Sequence, residues 1–156
     1  MKELLVSPYV NSILSDSPLK HIARLQCAQH VLARVVLQER SRAHSTQLMQ
    51  QLHWLPIEWR IRFKLTTLTY KALQTGHPPY LADLIQFHTT SKSTRSSSTQ
   101  LLFVPRHNLS FGSRAFRVSA PKVWNTLPLH IRQSQSLSTF RRHLKTHYFQ
   151  LAYPAT

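Results

Sequence analysis

Five carboxylates are all that this chain offers for acid–base or metal chemistry: Glu3, Asp16, Glu39, Glu58 and Asp83. Two-metal phosphoryl transfer, the chemistry of polymerases and many nucleases, needs carboxylates gathered on a strand and turn to hold the cations. Asp16 and Asp83 are the only aspartates, both in helical or capping contexts, and no Asp-Asp pair occurs. That excludes polymerase chemistry and leaves little room for a carboxylate-metal nuclease. His143 and His147 stand four apart on an expected helix, a spacing that two metal ligands could share. No acid or cysteine lies near them in sequence to complete a shell, and the neighbouring Arg and Lys residues repel a cation. Cys27, the single cysteine, falls within a largely apolar helix and reads as packing rather than as a nucleophile. No strand-turn nucleophile motif is visible for a Ser-His-Asp set. The expectation is a protein that is not an enzyme, with no metal site and no cofactor.

The cations tell more. Residues 86–156 carry ten Lys/Arg and no acid, while residues 1–85 hold the other ten and all five acids. The formal charge is +15 over 156 residues. A stretch that long without a carboxylate cannot neutralise itself by salt bridges. Its cations stay hydrated or sit beside a polyanion, because burying unpaired charge costs several kcal/mol each. Nucleic acid is the expected partner, as RNA or DNA met through phosphate, and an anionic membrane surface or an acidic protein is a weaker one. With one cysteine there is no internal disulfide, which suits a reducing compartment. No secretory signal is visible at the start and no stretch is apolar enough to span a bilayer, so an intracellular location, nuclear or cytoplasmic, is expected with no membrane association.

A hydrophobic share of 42% suffices for a core, and two glycines against nine prolines favour helices joined by proline-marked turns over a phosphate-cradling loop. Ser17 and Pro18 read as an N-cap and first position for a helix over 18–39. Leu19, Ile22, Leu25, Leu32, Val35 and Val36 mark its apolar face. A shorter helix begins near Ser45 or Thr46, carries Leu48, Met49 and Leu52, and stops before Pro56. The next runs over 56–75, closed by Gly76 and Pro78. On it, Ile57, Ile61, Leu65, Leu68 and Ala72 form one stripe, and Arg60, Lys64 and Lys71 fall within about 40° of each other on the adjoining arc. Trp59, Phe63 and Tyr70 make a third stripe beyond the cations. Either those aromatics stack on unpaired bases while the cations hold phosphates, or both apolar faces are core and the cations snorkel outward.

Pro78 and Pro79 open a short helix with Tyr80, Leu81, Leu84, Ile85 and Phe87. Residues 89–100 are nearly all Ser and Thr around Lys92 and Arg95, an exposed loop that either orders on phosphate or serves as a plain linker. The apolar run 101–104 suits a strand. Residues 108–112 suit a turn, and 113–119 either return as its partner strand or open a short helix. Pro121 and Pro128 bracket a turn presenting Trp124. The last helix starts at Ser136 or Ser138 with Leu137, Phe140, Leu144, Tyr148 and Leu151 inward. Arg141, Arg142 and Lys145 lie outside that stripe, where cations in a helix C-terminal half also suit the dipole. The expected fold is mainly α, a small helical domain of about five helices with a minor β-hairpin near residues 101–119. It divides into a helical segment 1–88, the loop 89–100, and a basic segment 101–156.

Several short words then match a known pattern. Leu52-His-Trp-Leu-Pro56, Arg60-Ile-Arg-Phe-Lys64 and Leu68-Thr-Tyr-Lys-Ala-Leu73 are followed by Pro79-Tyr-Leu81, Val104-Pro-Arg106, Arg114-Ala-Phe116, Ala120-Pro121, Val123-Trp-Asn125 and Leu127-Pro128. In this order, from about Tyr9 to Phe149, the chain resembles the carboxyl-terminal region of LINE-type (non-LTR) retrotransposon reverse transcriptases of vertebrates. His30 replaces the family's usual Asn, and Thr46-Gln47 its common Thr-Pro, as drift would leave them. The resemblance implies the end of the thumb and the carboxyl-terminal extension, with the endonuclease and the metal-binding palm lying upstream. It implies a role in holding template RNA or target DNA, a palm domain as polypeptide partner, and no catalytic residue in this stretch.

Two functional expectations follow. One is a non-catalytic nucleic-acid-binding fragment whose phosphate contacts are Arg60, Lys64 and Lys71, then Lys92, Arg95 and Arg106, then Arg141, Arg142 and Lys145. With six or more phosphates engaged, its affinity falls by roughly a thousandfold between 50 and 200 mM salt. The other is a translated retrotransposon relic with no selected function, part of whose core lies exposed because its companion domain is gone.

Overall fold

The computed structural model describes residues 18–39, 43–89, 100–107, 112 and 115–154. Within them the chain is helical almost throughout: α1 (Leu19–Val36), α2 (Ser45–Gln51), α3 (Ile57–Thr75), α4 (Pro79–Ala82), α5 (Phe116–Asn125), α6 (Leu129–Arg132) and α7 (Leu137–Ala152). Five of these exceed one turn and α4 and α6 are single turns, so the mainly α expectation stands. None of the described helices is long and apolar enough to cross a membrane.

α3 is the axle. Its stop is local: Gly76 takes a left-handed φ of 64° and its N–H closes on the Ala72 carbonyl, a conformation that glycine alone adopts without steric cost. One flank of α3 packs through Leu65 and Ala72 against Leu81, Ile85 and Ala120 of the α4 and α5 region. The other places Tyr70 in the largest core cluster with Leu102, Trp124, Leu127, Ile131, Phe140, Leu144 and Tyr148. Two threonines between these flanks, Thr66 and Thr69, are fully buried. Their hydroxyls donate to the carbonyls of Arg62 and Leu65 one turn back, at 2.7 and 2.9 Å, so neither hydroxyl is stranded.

α7 begins where the Ser136 side chain accepts from the Thr139 N–H, an N-cap. Phe140, Leu144 and Tyr148 are buried as the spacing predicts, whereas Leu151 is exposed. Phe140 is sandwiched between Tyr70 and Trp124, with ring centroids 4.2 and 5.9 Å away. One ring thus ties α3, α5 and α7 together, joining residues on both sides of the Ser/Thr-rich stretch. Residues 90–99 of that stretch, including Lys92 and Arg95, and 108–111 of the expected turn lie outside the described residues.

Three expectations change. The run near Leu102 forms no hairpin with 113–119 among the described residues. It makes an isolated antiparallel bridge to Phe87, with His88 N–H donating to Leu101 O and Phe103 N–H to Gln86 O, both at 2.8 Å. The other edge of Leu102 is occupied too, because the Asn125 carboxamide accepts its N–H and donates to its carbonyl. With both edges taken, 116–125 is left to continue as α5, and Trp124 is core, not presented.

The third change concerns α1. Its buried residues are Gln29 and Ala33, while Leu19, Leu25, Leu32, Val35 and Val36 are exposed, Leu19 at 85% and Val35 at 67%. The inward face is chosen by hydrogen bonding. Gln29 Nε2 donates to the Leu55 carbonyl and Gln26 Oε1 accepts the Ile57 N–H, each at 2.9 Å. Gln26 thereby satisfies one of the orphan amides that every helix start exposes, here at the first turn of α3. Ala33 is small enough to let Leu48 and Met49 of α2 close over it. Cys27 follows the outer face and is exposed, which removes its packing role.

Candidate nucleic-acid interface

Burial around α3 leaves one arc open. Arg60 and Lys71 are exposed and Lys64 is half-buried, while the arcs to either side are the two core flanks described above. The aromatic stripe is turned toward the core. Tyr70 is buried and donates its hydroxyl to the Ser134 carbonyl at 2.7 Å. Phe63 packs on the main cluster, and Trp59 lies against Tyr148 with centroids 5.3 Å apart. Both apolar faces are therefore core and the three cations stand outward between them, as snorkelling side chains do. The spacing of the row along the chain is fixed because the helix beneath it is packed on both flanks.

Among the described residues no carboxylate pairs with this arc. Glu58 is taken by Arg62 at 2.6 Å, and the Arg62 guanidinium also rests 4.9 Å above the Trp59 ring. Among the described residues no ion pair reaches Arg60, Lys64 or Lys71, nor Arg141, Arg142 or Lys145 on the outer side of α7. Those three α7 cations are exposed, and α7 packs directly on α3. Arg106 is exposed beyond the Leu102 bridge.

Burial shapes the titrating groups. Desolvation raises Tyr70 and Tyr148 and pushes Tyr153, whose hydroxyl donates to the Trp54 carbonyl, up to about 12. His147 is lowered, first by burial and then by His130. His30 is lowered by burial and by the neighbouring Arg34 and His44. Among the described residues no group of three or more His, Cys, Asp or Glu could hold a metal, so His143 and His147 gain no third ligand there.

Sequence reasoning passed over Arg132. It follows α6's Ile131, is almost wholly buried, and has its pKa lowered by that burial. Nothing in its local sequence separates it from a surface arginine; only the packing of α6 against α7 does. With this geometry in hand, the chain matches no protein-family description, no curated protein and no solved structure.

Proposed function

We propose that this chain is a non-catalytic nucleic-acid-binding protein that holds RNA or DNA by its phosphates, and that it derives from the carboxyl-terminal region of a LINE-type reverse transcriptase. The observation that carries the binding role is the open basic arc of α3: three cations on a helix immobilised by core on both flanks, with no acid paired to them among the described residues. With the helix backbone already fixed, only side-chain freedom is lost when a polyanion arrives. The outer face of α7, with Arg141, Arg142 and Lys145, widens the positive surface. Base stacking does not enter this reading, since Tyr70 is core and Trp59 and Phe63 pack against it.

Fluorescence anisotropy with labelled single-stranded RNA and DNA and with duplex tests this reading. Binding that weakens by roughly a thousandfold between 50 and 200 mM salt is expected for six or more phosphate contacts. Binding that is flat across that range, or absent at low salt from a folded sample, sinks it.

The uncovered face of α1 supports the derivation from a larger protein. Leu25, Leu32, Val35 and Val36 sit on one side of the helix in water, which is what remains when a companion domain such as a polymerase palm is missing. The same face favours a second reading, a translated relic without selected function. Circular dichroism separates the two. A sharp, cooperative thermal transition belongs to an autonomous binding domain, and a gradual loss of helicity belongs to a relic.

A further inference from the structure

α1 turns an aliphatic stripe to water. Counted at about 100° per residue, Leu25, Ala28, Leu32, Val35 and Val36 fall within about 100° of arc. All five are exposed, Leu32 at 53% and Val35 at 67%. Contacts on the other side hold the stripe outward: Gln29 donates to the Leu55 carbonyl and Gln26 accepts the Ile57 N–H, each at 2.9 Å. Ala33 is closed over by Leu48 and Met49. Rolling the helix to bury its stripe would break these contacts.

The stripe has the form of half a helix pair. Leu25, Ala28, Leu32 and Val35 are spaced three, four and three residues apart, the a/d register of two heptads. Ala28 is small enough to let another helix come close. The charges beside the stripe then select the partner. α1 carries no acid from Leu19 to Val36. Lys20 and Arg24, both exposed, follow within about 60° of Val35 on one margin, while the other margin runs into the core at Gln29 and Ala33. A second copy would set cations against cations in two chains of formal charge +15. A lipid surface would meet aliphatic side chains only, since α1 has no Trp, Tyr or Phe to anchor among headgroups. A helix with carboxylates beside its own apolar stripe answers both the stripe and the cations.

We propose that the 25–36 face of α1 docks an acidic amphipathic helix of a partner protein. Its apolar side chains would lie on Leu25, Ala28, Leu32 and Val35, and its carboxylates beside Lys20 and Arg24. This goes beyond the phosphate-binding role and does not rest on it, because the α3 and α7 cations take no part.

The probe is a labelled three-heptad peptide with Leu at a and d and Glu at e and g, titrated with the full chain by fluorescence anisotropy. One control peptide carries Lys at e and g; another has the same Leu and Glu residues in scattered order. Only the ordered Glu peptide is expected to bind. Leu32→Gln with Val35→Gln should weaken it by about tenfold or more, since two aliphatic side chains lose their burial. Lys20→Gln with Arg24→Gln should weaken it and flatten its salt dependence. Oligonucleotide binding by the Leu32→Gln, Val35→Gln variant should match the parent, so failure here and failure of the nucleic-acid reading show separately. The proposal is overturned if the ordered Glu peptide does not bind, if the scattered peptide binds as well, or if the Leu32→Gln, Val35→Gln variant binds like the parent. Three further results would reassign the face and overturn it too. A dimer in sedimentation that this variant dissolves means a second copy. Binding to vesicles of phosphatidylcholine and phosphatidylserine that the variant abolishes means a lipid surface. A large loss of stability in the variant means that the face is covered within the chain.

Discussion

Neutralising the open arc of α3 gives the sharpest test of the binding role. Arg60 and Lys71 are eleven residues apart, or about 16 Å along the helix at 1.5 Å per residue, room for about three phosphates with Lys64 between them. Each phosphate contact on a single strand contributes about 0.7 to the slope of log affinity against log salt. The triple variant Arg60→Gln, Lys64→Gln, Lys71→Gln should therefore lower that slope by about 2. Over a fourfold rise in salt, from 50 to 200 mM, the parent should lose roughly 20-fold more affinity than the variant. Arg62 is the internal control. It is already committed to Glu58 and to the Trp59 ring, so Arg62→Gln should leave the slope unchanged. Anisotropy titrations at several salt concentrations read both variants, and a thermal melt confirms that each is folded. An unchanged slope in the triple variant refutes the reasoning, because counterion release follows the cations that touch phosphate.

Three further outcomes are expected. Phe140→Ala removes a fully buried ring stacked on Tyr70 and Trp124 and should cost about 3–5 kcal/mol in urea denaturation; a loss below about 1 kcal/mol would mean that this cluster is not the core. Leu32→Gln with Val35→Gln alters side chains that are 53% and 67% exposed. It should change stability by no more than about 0.5 kcal/mol per site, and a large destabilisation would show that the α1 face is covered within the chain. Alkaline stability should follow Tyr153, with Tyr70 and Tyr148 raised in the same direction. Below pH 10 both folded and unfolded chains keep these protons. Between about 10 and about 12 the unfolded chain loses its Tyr153 proton while the folded chain keeps it, so stability falls through that window. Melting temperatures across that range check the sign, and a rise with pH contradicts it.

How far the fold was legible varied by element. α3 and α7 read cleanly because each has a chemical stop or start, Gly76 and Ser136, and a stripe that finds a partner. α1 has as good a stripe, yet burial falls along its edge at Gln29 and Ala33 and leaves most of the stripe exposed. Periodicity marks which face is apolar, but burial goes to the face that meets something, and Gln26 and Gln29 meet unpaired groups at Ile57 and Leu55. The run at Leu102 looked like half of a hairpin because strand propensity cannot name a partner. Its edges went to the segment at Phe87 and to Asn125, the latter 23 residues further along the chain.

The candidate site divides in the same way. That cations outnumber acids, and that Arg60, Lys64 and Lys71 share one arc, belongs to the chain itself, since charge is counted along it and a helix sets angles from spacing alone. Whether Trp59, Phe63 and Tyr70 were ligand surface or core, and that Arg132 would be buried, depended on what α7 and the α6–α7 link bring across from distant positions. Solvent exposure is a relation between segments. It exists only after the helices have packed.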